Sequence, residues 1–147
     1  MLTTVEKVVV LQDIDVFERI PLEDLAYIAL ITEEISVEPG VKLYAEGEIS
    51  DSMYLVLEGK IRLHRHGADV LFAGPRDVFG TWALFDEETR VVTATVVEES
   101  RLLKIGKENF LDLLTGHTKI TEGVLQAMAS RMRSLMGRAG GSLNKEY

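Results

Sequence analysis

The hydrophobic and polar positions at the start of the chain follow a helical period. Residues 4–12 carry a short apolar stripe at this spacing, and a stronger pattern opens at Pro21, a residue type favoured at helix starts. Its apolar positions are Leu22, Leu25, Ile28, Ala29 and Ile31. Glu23 and Asp24 lie in its first turn, where acidic side chains suit the helix dipole. The pattern predicts two N-terminal helices, with Phe17 between them as a core residue.

From Val37 onward the pattern changes to short strand-like runs separated by glycine turns. The turns are Pro39-Gly40, Glu46-Gly47, Glu58-Gly59, His66-Gly67 and Gly74-Pro75. The runs are Val41–Tyr44, Met53–Leu57, Ile61–His66, Asp69–Ala73, Val91–Val97 and Arg101–Ile105. Because no helical pattern separates these runs, a parallel sheet with crossover helices is excluded, and the regular turns favour an antiparallel barrel or sandwich.

The pattern returns to helix after Gly106, first over Lys107–Leu114 and then over Thr118–Met136. The second segment has a seam spaced like a coiled-coil stripe, formed by Leu125, Met128, Met132 and Leu135. This seam fits either packing against the β-roll or pairing with a partner chain, such as a second copy. Gly137, Gly140 and Gly141 predict the end of the helix, so residues 1–137 are expected to form the domain and residues 138–147 a flexible tail.

These segments together predict an α+β fold that is mainly β. We expect an antiparallel β-roll, a jelly-roll-like barrel, with N-terminal helices and a long C-terminal helix. The length of 147 residues fits one such domain.

Composition narrows the possible environments and partners. With 16 Lys and Arg against 24 Asp and Glu, the formal net charge is −8, which argues against binding nucleic acid or an anionic membrane through bulk charge. The absence of cysteine excludes disulfides and thiol chemistry. No apolar run is long enough to span a bilayer, and no signal-peptide pattern opens the chain. We therefore expect a soluble, cytoplasmic protein that does not insert into membranes.

The sequence offers little support for a metal site or an enzyme. His64 and His66 would share one face of a strand with Arg62, while Ile61 and Leu63 face the other side, which is typical of a solvated face. A cupin metal centre would need an acidic ligand a few residues later, where Val70 and Leu71 stand instead. No serine lies in a nucleophile-turn motif with an evident His and acidic partner. We expect no metal and no catalytic residues.

The segment from Phe79 to Ala94 carries the most chemistry. Gly80 precedes what reads as a single helical turn, an acidic loop follows, and Arg90 enters the next strand. The backbone N–H groups of such a turn suit an anion, and an arginine folding back could close the site with a bidentate fork. The expected ligand is a small phosphate-bearing molecule. Arg90 could instead be a surface residue paired with Glu87 or Glu88, and Trp82 is expected to fill the core rather than stack on a base.

Several further motifs, spread over roughly residues 12–136, bear on the identity of this segment. They are Val37-x-Pro39-Gly40, Glu46-Gly47, Asp51-x-Met53-Tyr54-Leu55-Val56-x-x-Gly59, Asp77-Val78-Phe79-Gly80, Ala83-Leu84, and Arg90 with Thr93. With them the chain resembles the cyclic nucleotide-binding domains found in the catabolite activator protein and in protein kinase A regulatory subunits.

The resemblance implies a ligand, cAMP or cGMP, and no other cofactor. The phosphate-binding cassette would comprise Phe79, Gly80, Thr81, Trp82, Ala83, Arg90, Val91 and Val92. The backbone N–H groups of Gly80 and Ala83 would bind the cyclic phosphate, and Arg90 would be its counter-ion. In this family, closure of the cassette moves the C-terminal helix, so the resemblance also implies a regulatory, ligand-sensing role.

The chain departs from the family pattern at three positions. Thr81 replaces the acidic residue that accepts a hydrogen bond from the ribose 2′-OH, and Val91 and Val92 replace small residues after the arginine. Two functions therefore remain open: a sensor that binds a cyclic nucleotide weakly, or a degenerate module that serves interaction or dimerisation. Because only ten residues follow Gly137, we expect no DNA-reading domain within this chain.

Overall fold

The computed structural model describes the backbone of residues 1–140 and the side chains of residues 1–137. The helices are α1 (Thr4–Leu11), α2 (Leu22–Ile31), α3 (Lys107–Gly116) and α4 (Thr118–Gly140), and the 3₁₀ turns are Asp15–Phe17 and Thr81–Leu84. The strands are β1 (Thr32–Val37), β2 (Lys42–Tyr44), β3 (Ser52–Arg65), β4 (Ala68–Ala73), β5 (Val78–Phe79) and β6 (Thr93–Gly106).

All strand pairs are antiparallel, in the order β1-β6-β3-β4, with β2 on β6 and β5 on β3. The two 14-residue strands β3 and β6 pair from Ser52 opposite Gly106 to His64 opposite Thr93. This confirms the predicted α+β, mainly β roll with flanking helices. The sheet is nevertheless not closed, because β1 and β4 each pair along one side only.

Both long strands pass through positions where the sequence predicts a break. Gly59 lies inside β3 with φ +105°, beside shifts in register, so the predicted turn at Glu58-Gly59 is wrong. A Cβ at Gly59 would stand 2.0 Å from Oγ of Ser100 on β6, so glycine here permits a close approach of the two strands. Strand β6 is likewise continuous, whereas the sequence predicts two separate runs.

Other element boundaries also differ from the predictions. Strand β1 was not predicted, and it follows α2 directly and pairs with β6 from Thr32 to Val37. Val91 and Val92 precede β6 instead of beginning it. Helix α4 passes through Gly137 to Gly140, so its predicted end is wrong. Residues 141–147, which make up most of the predicted tail, lie outside the described residues, and the domain boundary at residue 137 stays a prediction.

Two hydrophobic clusters fill the molecule. One lies beneath the helices and includes the fully buried Phe17, whose ring is 5.9 Å from that of Phe110, as the sequence predicts for a core residue. The other fills the inside of the roll around Tyr54 and Phe79. None of the helices in the described part of the chain is both long and apolar enough to cross a membrane.

Helix α4 packs on the first cluster through a face different from the predicted seam. The buried residues are Ile120, Val124 and Ala127. The exposed members of the seam are Leu125, Met132 and Leu135, at 61%, 64% and 54% exposure. Only the half-buried Met128 packs against the cluster, so the prediction that the N-terminal part of the seam is buried is wrong for Leu125.

Candidate functional site

The predicted cassette residues surround one cavity of about 290 Å³ between the 3₁₀ turn at Thr81–Leu84, the segment that leads into β6, and strands β2 and β3. Seven of the eight line it: Gly80, Thr81, Trp82, Ala83, Arg90, Val91 and Val92. Phe79 is buried in the roll cluster beside them. A larger cavity of about 430 Å³ lies between the Asp15–Phe17 turn and α4, but none of the cassette residues line it.

Arg90 is buried, at 5% exposure, although it is charged. Its Nη2 donates hydrogen bonds to the Ser52 carbonyl at 2.7 Å and to the Ser52 hydroxyl at 3.2 Å, and lies 3.7 Å from Oδ1 of Asp51. The alternative in which Arg90 is a surface residue paired with Glu87 or Glu88 is therefore wrong. Burying a guanidinium costs free energy unless its N–H donors find acceptors. The donors other than Nη2 therefore need partners as well.

The Nε of Arg90 is such a donor. Among the side chains that the structure describes, it is the one buried nitrogen or oxygen atom without a hydrogen-bond partner. Leaving a buried donor unpaired costs about 1–3 kcal/mol, and more when the group is charged. An acceptor on an anionic ligand in the adjoining cavity would remove this cost, so the guanidinium is suited to receive a phosphate oxygen.

The backbone at Gly80 suits this arrangement for two reasons. Its φ of +74° lies in the left-handed region that favours glycine. A Cβ there would also stand 2.7 Å from Nη1 of Arg90 and 3.0 Å from the Ser52 carbonyl. Ala83 is buried, and its N–H donates to the Gly80 carbonyl at 3.1 Å, closing the turn. In this structure the Ala83 N–H is therefore engaged within the cassette.

Thr81 and Trp82 lie on the open side of the cavity. Trp82 is 52% exposed, so the prediction that it fills the core is wrong. The rings of Trp82 and Phe85 meet edge to face, with their centroids 6.3 Å apart. The guanidinium carbon of Arg131 on α4 lies 5.8 Å from the centroid of the Trp82 ring. A third cavity, apolar and of about 190 Å³, is lined by Trp82 together with Met128, Arg131, Met132 and Leu135. The open side of the cassette thus faces α4.

The remaining walls of the main cavity are formed by two valines and the acidic loop. Val91 is 65% exposed, and the partly buried Val92 packs against the roll cluster. The acidic loop is tied to α3 because Lys107 Nζ donates to the Glu87 carboxylate at 3.0 Å and to the Asp86 carbonyl. This contact offsets part of the negative charge next to the main cavity.

The histidine pair has no metal-binding arrangement. His64 Nε2 lies 2.8 Å from the Thr95 hydroxyl, and the exposed His66 is 3.7 Å from Glu46. Within the described residues, no three His, Asp or Glu side chains are grouped closely enough to hold a metal ion.

Sequence reasoning missed three residues of the site: Tyr44, Asp51 and Ser52. The Tyr44 ring lies 3.8 Å from the Arg90 guanidinium carbon, and the other two residues contact the same guanidinium. They are 38 to 46 positions from Arg90 in the sequence, so no local pattern links them to it. Asp51 belongs to a motif of the resemblance, but that motif assigned it no contact.

Comparisons with known proteins show which family the chain resembles in sequence and in fold. A family model described as cyclic nucleotide-binding domain matches residues 34–117. The CRP-like cAMP-activated global transcriptional regulator of Mycobacterium tuberculosis is 25% identical over 123 residues, which cover 80% of this chain and 55% of the regulator. The chain therefore spans about half the length of that relative.

Solved structures share the fold. The N-terminal domain of a transcriptional regulator from Streptomyces coelicolor has a TM-score of 0.82 and 28% identity, over 88% of this chain and 94% of that one. The regulatory domain of Toxoplasma gondii PKA, crystallised with cAMP, has a TM-score of 0.69 and 25% identity, over 75% of this chain and 44% of that one. The chain belongs to the cyclic nucleotide-binding domain family.

Proposed function

We propose that the chain is a regulatory module that binds a cyclic nucleotide, cAMP or cGMP, weakly in the cavity around Arg90. The observation that carries this proposal is the buried guanidinium with an unpaired Nε next to a cavity of about 290 Å³. A cyclic phosphate is a compact anion that supplies the missing acceptor. Two relatives described by their names as cAMP-activated or solved with cAMP support this ligand class.

The weakness follows from the open side of the site. Thr81 stands where the family places an acid, and a neutral hydroxyl with a shorter reach replaces a charged acceptor for the ribose 2′-OH. A hydrogen bond to a charged group contributes about 1.5–3 kcal/mol, so its loss weakens binding by about one to two orders of magnitude. An affinity on the order of tens of micromolar or weaker is expected if relatives bind near one micromolar.

The output that fits this site is a movement of α4. Trp82 and Arg131 join the cassette to this helix, so a ligand that displaces the 3₁₀ turn would change the contact. The role is regulatory rather than enzymatic, requires no other cofactor, and needs neither nucleic acid nor membrane insertion within this chain. A cytoplasmic location is part of the same proposal.

Calorimetric titration of the chain with cAMP and with cGMP tests the ligand. Saturable binding of either nucleotide, with an affinity on the order of tens of micromolar, supports the proposal. No heat of binding up to millimolar nucleotide would contradict it and would leave the degenerate module as the better description. Adenosine is the matched control, because it keeps the base and ribose and lacks the phosphate that Arg90 is proposed to bind.

A second candidate role is dimerisation through α4. Leu125, Met132, Leu135 and Met136 are 41–64% exposed on this helix, which is much apolar surface to leave in water. A second copy paired through the seam would cover it. Sedimentation of the unmodified chain at high micromolar concentration is expected to show a dimer, and a monomer would contradict this role.

Two variants sharpen the dimer test. Met132→Glu with Leu135→Glu is expected to leave the domain folded but monomeric, because both side chains are exposed in one chain. Gln126→Glu with Arg133→Gln makes the same change in net charge at exposed positions outside the seam, and should leave a dimer intact.

A further inference from the structure

Tyr44, at the end of β2, is buried at 7% exposure inside the roll. Its ring lies 6.1 Å from that of Tyr54 and 6.2 Å from that of Phe79, and these two stack on each other at 5.2 Å. Three aromatic rings thus hold one another in place. Tyr44 also lines the main cavity, so its position matters at the ligand site as well as in the core.

The backbone connects Tyr44 to Arg90. Immediately after β2, the chain turns through residues 45–48, and this turn pairs with the backbone of Arg90 on both sides. The Arg90 N–H donates to the Glu48 carbonyl at 2.8 Å, and the Gly47 N–H donates to the Arg90 carbonyl at 2.8 Å. The side chains of Tyr44 and Arg90 therefore start from backbone positions that are tied together.

The Arg90 guanidinium carbon lies 3.8 Å from the centroid of the Tyr44 ring. A cation on the face of an aromatic ring is stabilised without giving up any N–H donor. The ring therefore partly offsets the cost of burying the guanidinium while leaving Nε free. The Ser52 and Asp51 oxygens engage Nη2 alone among the guanidinium nitrogens.

We propose that Tyr44 is a positioning residue whose ring holds the Arg90 guanidinium so that Nε stays available to an anion in the cavity. The consequence for binding rests on the proposed function, whereas the contact between ring and guanidinium can be measured without any ligand. The rival explanation is that the Tyr44 hydroxyl binds the anion directly. Because Tyr44 lines the cavity, the experiment has to separate the ring from the hydroxyl.

Two variants make this separation. Tyr44→Phe keeps the ring and removes the hydroxyl, and Tyr44→Leu removes the ring. We expect Tyr44→Phe to bind cAMP like the unmodified chain and Tyr44→Leu to bind about tenfold more weakly. Equal losses in both variants would overturn the proposal in favour of the hydroxyl, and unchanged binding in Tyr44→Leu would overturn it outright.

A signal that does not depend on the nucleotide reports the contact itself. In nitrogen-edited proton NMR, the Nε–H of Arg90 is expected to be shifted upfield by the ring current, and Arg90→Lys identifies the signal by its loss. Tyr44→Phe should keep the upfield position, and Tyr44→Leu should lose it. An unchanged Nε–H position in Tyr44→Leu would show that the ring does not hold the guanidinium.

Val96→Ala is the matched control for a packing defect. Val96 is buried in the same cluster, and its truncation leaves a cavity there without touching Arg90. Val96→Ala should lower the melting temperature while leaving the Nε–H signal and cAMP binding unchanged. If it weakens cAMP binding and shifts the Nε–H signal as much as Tyr44→Leu does, Tyr44 acts only as a core residue. If the unmodified chain binds neither cAMP nor cGMP, the proposed function fails, and the Nε–H signal still decides the positioning role.

Discussion

The two ends of the cassette differ in how the molecule holds them. At the closed end, Arg90 is 5% exposed and contacts β2 and β3, and glycine at position 80 leaves room for its guanidinium. At the open end, Trp82 is 52% exposed and meets Arg131 of α4, while Thr81 stands at the cavity rim. The closed end is enclosed by the sheet. The open end lies next to α4, a helix that packs on the core through another of its faces, the one with Ile120, Val124 and Ala127.

This difference implies that binding of the phosphate and discrimination between nucleotides would depend on different ends of the cassette. Under the proposed function, the closed end is arranged for an anion before any ligand arrives, because the roll holds the guanidinium and its unpaired donor in place. The open end would contact ribose and base, and its residues have fewer partners to hold them. Binding of a phosphate is therefore expected to tolerate changes at the open end, whereas nucleotide discrimination depends on them.

The largest expected effect follows from removing the cation at the closed end. Arg90→Ala should weaken cAMP binding by a factor of about 10–100, the scale of a charge-assisted pair. Arg62→Ala is the charge-matched control, because Arg62 forms a partly exposed ion pair with Asp69. Calorimetry that shows equal affinity for Arg90→Ala and the unmodified chain would contradict a phosphate site at Arg90.

A gain of affinity should come from the open end. Thr81→Glu restores a charged acceptor for the ribose 2′-OH and is expected to tighten cAMP binding about tenfold. A 2′-deoxy analogue cannot donate this hydrogen bond and should gain less. The fluorescence of the adjacent Trp82 provides the titration signal. If both ligands gain equally, the contact is not to the ribose, and tight binding by the unmodified chain would show that Thr81 is no defect.

The pKa of Tyr44 reports how well the closed end is shielded from water. Burial raises the pKa of Tyr44 from 10 to about 12, although the Arg90 charge acts to lower it. The folded state thus holds this proton more tightly than the unfolded chain does, so the associated stability is complete below pH 10 and is lost as the pH rises toward 12.

Absorbance titration of the unmodified chain and of Tyr44→Phe measures this pKa. The difference between the two curves is expected to rise near pH 12. A difference centred at pH 10 would mean that Tyr44 is accessible to water, which contradicts an enclosed anion site.

The smallest effect is expected in the acidic loop of the open side. Glu87 is 92% exposed where it pairs with Lys107, and exposed ion pairs contribute little because water and salt screen them. Glu87→Gln should change the free energy of unfolding by less than about 0.5 kcal/mol in chemical denaturation. Asp69→Asn, at the partly exposed pair of Arg62 and Asp69, should have a similarly small effect on the free energy of unfolding. A markedly larger loss for Glu87→Gln would show that the loop is held as firmly as the closed end.

Local pattern predicted much of the fold because the period of apolar residues reflects which face is buried. The helical stripe opening at Pro21, the antiparallel strands and the helices after Gly106 were all visible in this way. Pattern failed at Gly59, where glycine reads as a turn but lies in a bulge facing Ser100. The same residue type permits both conformations, and only the partner strand decides between them.

The site shows the same division between local pattern and tertiary contact. The sequence pointed to the segment from Gly80 to Arg90 as a candidate anion site, and the family resemblance added the predicted roles of Gly80, Ala83 and Arg90. Only the tertiary structure decided that Arg90 is buried, that Tyr44 lies beneath its guanidinium, and that Trp82 faces α4 instead of the core. Spacing along a chain specifies neighbours within a turn or strand, whereas burial and contacts between distant strands arise only when the sheet pairs and the clusters pack.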